Sequence, residues 1–208
     1  MQETEMGCTP CILHQFMARL RIVKLLLDSG ARVEEKDNLG RTALHAAATW
    51  GQDEVAAVLL QAGADVRARD AIDQTALHHA AILGRSPTIV RMLVKRGAQV
   101  EARSTGGFTP LHKAADYNRL AVAGALLESG SDVGALANDG SSPLHGAALF
   151  KHSDMVRLLL ESGAKTSVKD REGRTPADVW PKMQQILKEV EAEKAGKKQP
   201  PQPKMATP

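Results

Sequence analysis

Apolar positions in this chain arrive as paired short bursts separated by polar turns. In residues 37–69 the first burst is Leu44, Ala47 and Ala48, the spacing of one face of a short helix, and Gly51 suits a left-handed helix end. The second is Val55, Val58 and Leu59 before Gly63, with Asp53 and Glu54 in a first turn where acids suit the helix dipole. Ahead of both lies Asp37-Asn-Leu-Gly40-Arg-Thr42, turn chemistry ending on a hydroxyl that can cap a helix. The predicted unit is a turn, two antiparallel helices, and an outward segment from Ala64 to Arg69.

The unit recurs. Thr42-Ala-Leu-His45, Thr75-Ala-Leu-His78, Thr109-Pro-Leu-His112 and Ser142-Pro-Leu-His145 place their His at intervals of 33, 34 and 33 residues. In step with them, Leu26-Leu27, Leu59-Leu60, Leu93-Val94, Leu126-Leu127 and Leu159-Leu160 are each followed by a Gly, at positions 30, 63, 97, 130 and 163. Self-similarity at this period predicts an all-α solenoid of stacked units. The Gly-x-Thr-Pro-Leu-His and Leu-Leu-x-x-Gly-Ala patterns resemble the ankyrin repeat. Its units would span 4–36 (a degenerate N-terminal cap), 37–69, 70–103, 104–136, 137–169 and a short cap at 170–192.

Departures are local. Asp73 replaces a turn glycine, while Ser104 and Ala137 stand where the turn Asp belongs. Asn118 and Lys151 replace capping glycines, and Gly84-Arg-Ser-Pro87-Thr-Ile89 carries one extra residue, with Pro87 tolerable only in a helix's first turn. At the ends, Ile12 and Asp178 take the His position; Pro181 is expected to open a last helix with Met183, Ile186, Leu187 and Val190 on one face. Residues 193–208 hold Lys, Gln and Pro without core residues and are expected to be disordered. Within them Lys197-Lys-Gln-Pro200-Pro-Gln-Pro203 fits a polyproline ligand, but such short matches are common by chance and a plain soluble tail is the preferred reading.

Residues 194–208 hold four of the 27 Lys and Arg and no acid, leaving the first 193 residues at a net charge of −1. No basic surface for nucleic acid is expected. No apolar run reaches the ~18 residues of a membrane span, the start has no signal-peptide pattern, and two cysteines do not make a disulfide framework. An intracellular protein of cytoplasm or nucleus is expected, without membrane contact and monomeric on its own.

Regular histidines invite a metal. Helices in adjacent units lie about 8–10 Å apart, whereas zinc ligands approach to about 2.1 Å, so the four cannot share an ion. The resemblance implies that His45, His78, His112 and His145 are structural, bonding turn backbone between units; His79 is expected to be a partly covered surface residue. Cys8-Thr-Pro-Cys11, followed by His14, has redox spacing but no βαβ unit around it, and Cys11 sits at the core position of Leu44. No phosphate loop, nucleophile elbow or zinc-protease helix occurs. No metal, cofactor or catalytic residue is assigned.

Five residues beyond each His position lie Met17, Trp50, Leu83, Tyr117 and Phe150, collecting three of the chain's six aromatics. In ankyrin-like solenoids this position and the turn fingertips look onto a concave groove. Two readings stand: partner anchors, or packing over the neighbouring unit. Leu39, Arg41, Ile72, Gln74 and Phe108 lie at the fingertips. Lys36, Arg69, Arg103 and Lys169, with Leu136, precede the turns and could steer acidic groups along the groove edge, although ankyrin-like repeats often carry Lys or Arg there regardless. The family's hydroxylated Asn is absent, its places being Glu34, Arg67, Glu101, Gly134 and Ser167.

The function implied is non-enzymatic: an adaptor or scaffold holding an acidic and apolar protein or peptide segment, with Trp50, Leu83, Tyr117, Phe150, Phe108, Ile72, Arg41, Arg69 and Arg103 as binding residues. The alternative is a regulatory or targeting subunit of an enzyme complex such as a kinase, phosphatase or ubiquitin ligase.

Overall fold

The computed structural model describes residues 20–197. Ile12, Met17, Cys8, Cys11 and His14, singled out above, lie outside them. A first helix, α1, covers 20–28. The others are α2 (Ala43–Trp50), α3 (Asp53–Gln61), α4 (Ala76–Leu83), α5 (Pro87–Lys95), α6 (Pro110–Asp116), α7 (Leu120–Glu128), α8 (Pro143–Leu149), α9 (Ser153–Glu161), α10 (Pro176–Val179) and α11 (Met183–Lys197). The first helices of successive units, α2, α4, α6, α8 and α10, stack in one row; the second helices, α3, α5, α7, α9 and α11, stack in another.

Small residues set the spacing of the first row. Leu44, Ala47 and Ala48 recur as Leu77, Ala80 and Ala81, as Leu111, Ala114 and Ala115, and as Leu144, Ala147 and Ala148, every one buried. Alanine lets neighbouring helices approach closely, and each leucine fills the space left toward the second row, where Val55, Leu59, Ile89, Leu93, Val122, Leu126, Met155 and Leu159 close the core. The first-helix end is left-handed: Gly51 has φ 66°, and a Cβ there would meet the Cβ of Arg85 at 2.6 Å. Asn118 (φ 54°) and Lys151 (φ 59°) hold the same backbone region with side chains, which favours Gly and tolerates Asn better than Lys.

Each turn histidine joins two units. The backbone N–H of Thr42 points at His45 Nδ1 at 3.1 Å, which fixes that nitrogen as an acceptor, and the Thr42 hydroxyl sits 2.9 Å from it. The proton is therefore on Nε2, which donates to the Gln74 carbonyl of the next unit at 3.2 Å. His78 reaches Phe108 at 2.9 Å, His112 reaches Ser141 at 3.1 Å, and His145 reaches Arg174 at 3.1 Å. These bonds require neutral rings. Burial, opposed by the bond to the neighbouring carbonyl, holds His78 and His112 down to about 4. The fingers are tied separately: Ala71 donates to Leu39, Thr105 to Ile72, Asn138 to Gly106 and Arg171 to Asp139, one backbone bond per joint.

Cations supply a third set of ties. Lys36 donates to the Arg69 carbonyl at 2.9 Å, Arg69 to the Arg103 carbonyl at 2.8 Å, and Arg103 to the Leu136 carbonyl at 2.6 Å. Three of the basic series thus bind backbone one unit along, a structural task beside the steering expected of their charge. At the back, Arg96 bonds Leu60, Arg119 bonds Ile82 and His152 bonds Asp116, all carbonyls near helix C-termini. Such carbonyls lack intrahelical partners and favour positive charge.

At the C-terminus Asp178 stands in for His: Thr175 N–H and hydroxyl donate to its carboxylate at 2.8 and 2.7 Å. Met183 and Val190 are buried. The helix α11 runs to Lys197, so the expected disordered stretch from 193 is helical in its first residues; 198–208 lie outside the described residues.

Two stability measurements follow from this joint chemistry. Lys151→Gly should raise stability by about 1 kcal/mol by relieving a left-handed lysine, read as a shift in urea midpoint. Since His78 and His112 are held below the ordinary value of 6.5, the unfolded chain binds protons first on acidification. Stability should be complete above about pH 6.5 and fall toward pH 4, by roughly 3 kcal/mol at most per ring. Urea titrations across that range test it, with His112→Gln flattening the slope.

Candidate functional site

Finger bases and first helices share one face, because the Phe108 ring lies under Lys113 Nζ at 4.4 Å and the Asp70 carboxylate meets His79 at 2.8 Å. The positions one, four and five residues beyond each staple histidine belong to this side. They read Ala46, His79, Lys113, Gly146; Thr49, Ile82, Asp116, Leu149; and Trp50, Leu83, Tyr117, Phe150.

Large apolar groups stay in solvent here. Trp50 is 53% exposed, Tyr117 48%, Phe150 55% and Leu149 58%, with Leu39 and Ile72 similarly open on the fingertips. Leu83 and Phe108 are half-buried. Phe108 packs edge-on against His112, centroids 5.7 Å apart, and Phe150 stacks on His152 at 5.9 Å. Gln74, placed at a fingertip above, is instead buried at the finger base. Arg41 is exposed but bound to Asp37, Nη2 to Oδ2 at 2.7 Å.

His79 is not on the surface. It is 6% exposed, with Nε2 2.8 Å from Asp70 Oδ2 and Nδ1 3.0 Å from Thr49 Oγ1. Burial pushes the Asp70 carboxyl up, but bonds from His79, Gln74 and Ile72 outweigh it and hold the group below its usual range. Hydroxyl, imidazole and carboxylate in line resemble a hydrolase relay, yet the Thr49 hydroxyl donates to the His45 carbonyl at 2.8 Å. That bond to the carbonyl four residues back is the ordinary one of a helical threonine. The network ties α2, α4 and the second finger together. Adjacent histidines in a motif that elsewhere carries one were the signal available in the sequence.

Two cations lie over aromatic rings of this face. Arg85 Cζ stands 5.5 Å from the Trp50 centroid, and Lys113 covers Phe108. Among the described residues, Arg41, Arg91, Arg157 and Arg174 are bound to carboxylates, while Lys36, Arg69, Arg96, Arg103 and Arg119 bond carbonyls. Arg85 makes neither kind of bond, and Lys113 has only Asp116 at 4.0 Å. Neither was singled out from sequence, because the pairing depends on the fold of the inserted loop and on the finger's approach to α6.

Asp116 occupies the space over Gly146 that a Cβ would take. Burial raises its pKa to about 6, with Lys113 pulling it down and Asp139 pushing it further up. Among the described residues no group of three or more His, Cys, Asp or Glu is arranged to hold a metal, and no helix is long and apolar enough to cross a membrane.

Comparison with known families agrees with the geometry. A family model described as ankyrin repeats (3 copies) matches residues 2–70 and 68–137, and one described as ankyrin repeat matches 139–171.

The raised Asp116 gives a further measurement. Unfolded, the group ionises near 3.8; folded, near 6, so its cost develops as pH rises between the two and is full above 6. Asp116→Asn should therefore stabilise the protein by roughly 1–2 kcal/mol at pH 7.5 and leave it unchanged at pH 3.5, read from thermal melts at both values.

Proposed function

From its membership of the ankyrin-repeat family, to which these matches assign the chain, we propose that it is a non-enzymatic protein-binding module that holds a segment of another protein against its fingers and first helices. Ankyrin repeats are generally modules of protein–protein interaction, and the carrying observation is the face itself. Trp50, Tyr117, Leu149, Phe150, Leu39 and Ile72 remain exposed in a fold whose first-helix core leucines, Leu44, Leu77, Leu111 and Leu144, are exposed to 1% or less. Aromatic and aliphatic groups gathered on one side, rimmed by charge, are what a partner's apolar residues desolvate.

The partner's chemistry follows from the cations left over. Lys36, Arg69 and Arg103 serve the stack, so acidic groups on the partner would meet Arg85 and Lys113, each held beside an apolar ring. A segment alternating apolar and acidic side chains is the complement. Leu83 and Phe108, half covered, would form the floor between Trp50 and Tyr117.

The test starts from peptides selected by the intact chain out of a random display library. They should be rich in acidic and apolar residues, and Trp50→Ala with Tyr117→Ala should weaken them by at least 100-fold, about 3 kcal/mol for two anchors. The melting temperature should stay within a few degrees, since both side chains are solvent-facing. Peptides that bind the double variant equally well would refute the reading, as would collapse of the fold, which would make the rings packing residues.

A further inference from the structure

We propose that Ser86 is a phosphoacceptor for a proline-directed protein kinase and that the phosphate controls the Trp50 end of the binding face; the control, though not the modification, rests on the groove reading above. Four hydroxyl residues precede proline among the described residues: Ser86, Thr109, Ser142 and Thr175. Three are closed. The hydroxyls of Thr109, Ser142 and Thr175 lie 2.9, 2.9 and 2.7 Å from His112, His145 and Asp178 within capping boxes, and the first two residues are buried. The Ser86 side chain makes no cap bond, and among the described residues its hydroxyl has no other partner.

The backbone fits as well. Ser86 belongs to the one unit with an extra residue, on the loop between α4 and α5, in extended conformation with φ −144° and ψ 112°. Ser86 and Pro87 are partly exposed, and Arg85 and Thr88 around them are exposed. An extended Ser followed by a trans Pro, whose ring nitrogen has no proton to satisfy, is the form such kinases read. The γ-phosphoryl of ATP passes to Ser86 Oγ, the hydroxyl proton passes to the kinase's base, the bond to the bridging oxygen breaks, and ADP leaves.

The product disturbs this loop little and its neighbour much. Pro87 at the first position of α5 has no N–H whose bond a phosphate would displace, and the Arg119 side chain already lies across Gly84, 2.5 Å from where a Cβ would stand. Arg85 is adjacent in sequence, lacks a carboxylate partner and rests on the Trp50 ring. A dianion beside it offers a charge-assisted bond that an exposed ring cannot match. Arg85 then leaves Trp50, and the new negative charge repels the acidic partner that Arg85 would have held.

The experiment incubates the full chain with an active mitogen-activated-type kinase and Mg-ATP, followed by peptide mapping. One phosphoryl group on Ser86, lost in Ser86→Ala, is the expected result; incorporation absent from Ser86, or equal at Thr109, Ser142 and Thr175, overturns the site. Phosphorylation should also shift tryptophan emission in the wild type and not in Arg85→Ala, since Trp180 lies in the last unit. Affinity for the selected peptides should drop at least tenfold. Phosphate on Ser86 without that drop overturns the control, provided the peptides depend on Trp50 and Tyr117; peptides indifferent to those two residues sink the groove reading and leave the modification standing.

Discussion

The hydrogen bond from a neutral histidine to the carbonyl of the next finger is the constraint from which the rest of this structure follows. A solenoid has no distant segments returning to close a core, so every unit depends on its neighbours. Burying an imidazole is costly unless both nitrogens are satisfied. Here one accepts from the backbone of its own turn and the other donates across the joint. The same two bonds set the height of the first helix against the next finger, and hence the register of everything displayed on that side. Fingers, cations and helix-end carbonyls then repeat the step in parallel, so that each joint is fastened at several depths.

Much of this was legible in the sequence because a period exposes it. The repeat, the helix end at Gly51 and the structural position of the four histidines follow from aligning equivalent residues, which also brought Trp50, Tyr117 and Phe150 to one position while leaving open whether they pack or face solvent. What a period cannot reveal is the acceptor at the far end of a long side chain. Arg69 and Arg103 looked like groove charges; their guanidinium groups lie on carbonyls 34 and 33 residues onward. His79 looked like surface because its equivalents are Ala46, Lys113 and Gly146, small or charged. It is buried because Asp70 and Thr49 come from two different units to meet it. Chemistry that differs between copies escapes an argument built on their sameness.

Those differences between copies also separate the parts that hold the stack from the parts left for binding. Thr, Leu, Ala-Ala and the staple histidine are nearly constant and buried. The residues one, four and five beyond the histidine vary from alanine to lysine and from threonine to leucine, and the exposed Trp50, Tyr117, Leu149 and Phe150 all lie there. Variation at fixed geometry is how a repeat scaffold presents a particular surface without altering its joints.

Asp116 shows that this surface is not optimised for folding alone. Its carboxylate fills the gap over Gly146, poorly solvated, and Lys113 at 4.0 Å together with His152 offsets the burial only in part. An apolar or neutral residue would serve the stack better at neutral pH, just as a glycine would serve better than Lys151 at the helix end. Both residues lie beside Tyr117 and Phe150, the open aromatics of the third and fourth full units. Local rules broken next to exposed aromatics, inside a stack whose joints obey them, are what the proposed binding face would demand, while stability is met in the buried rows behind it.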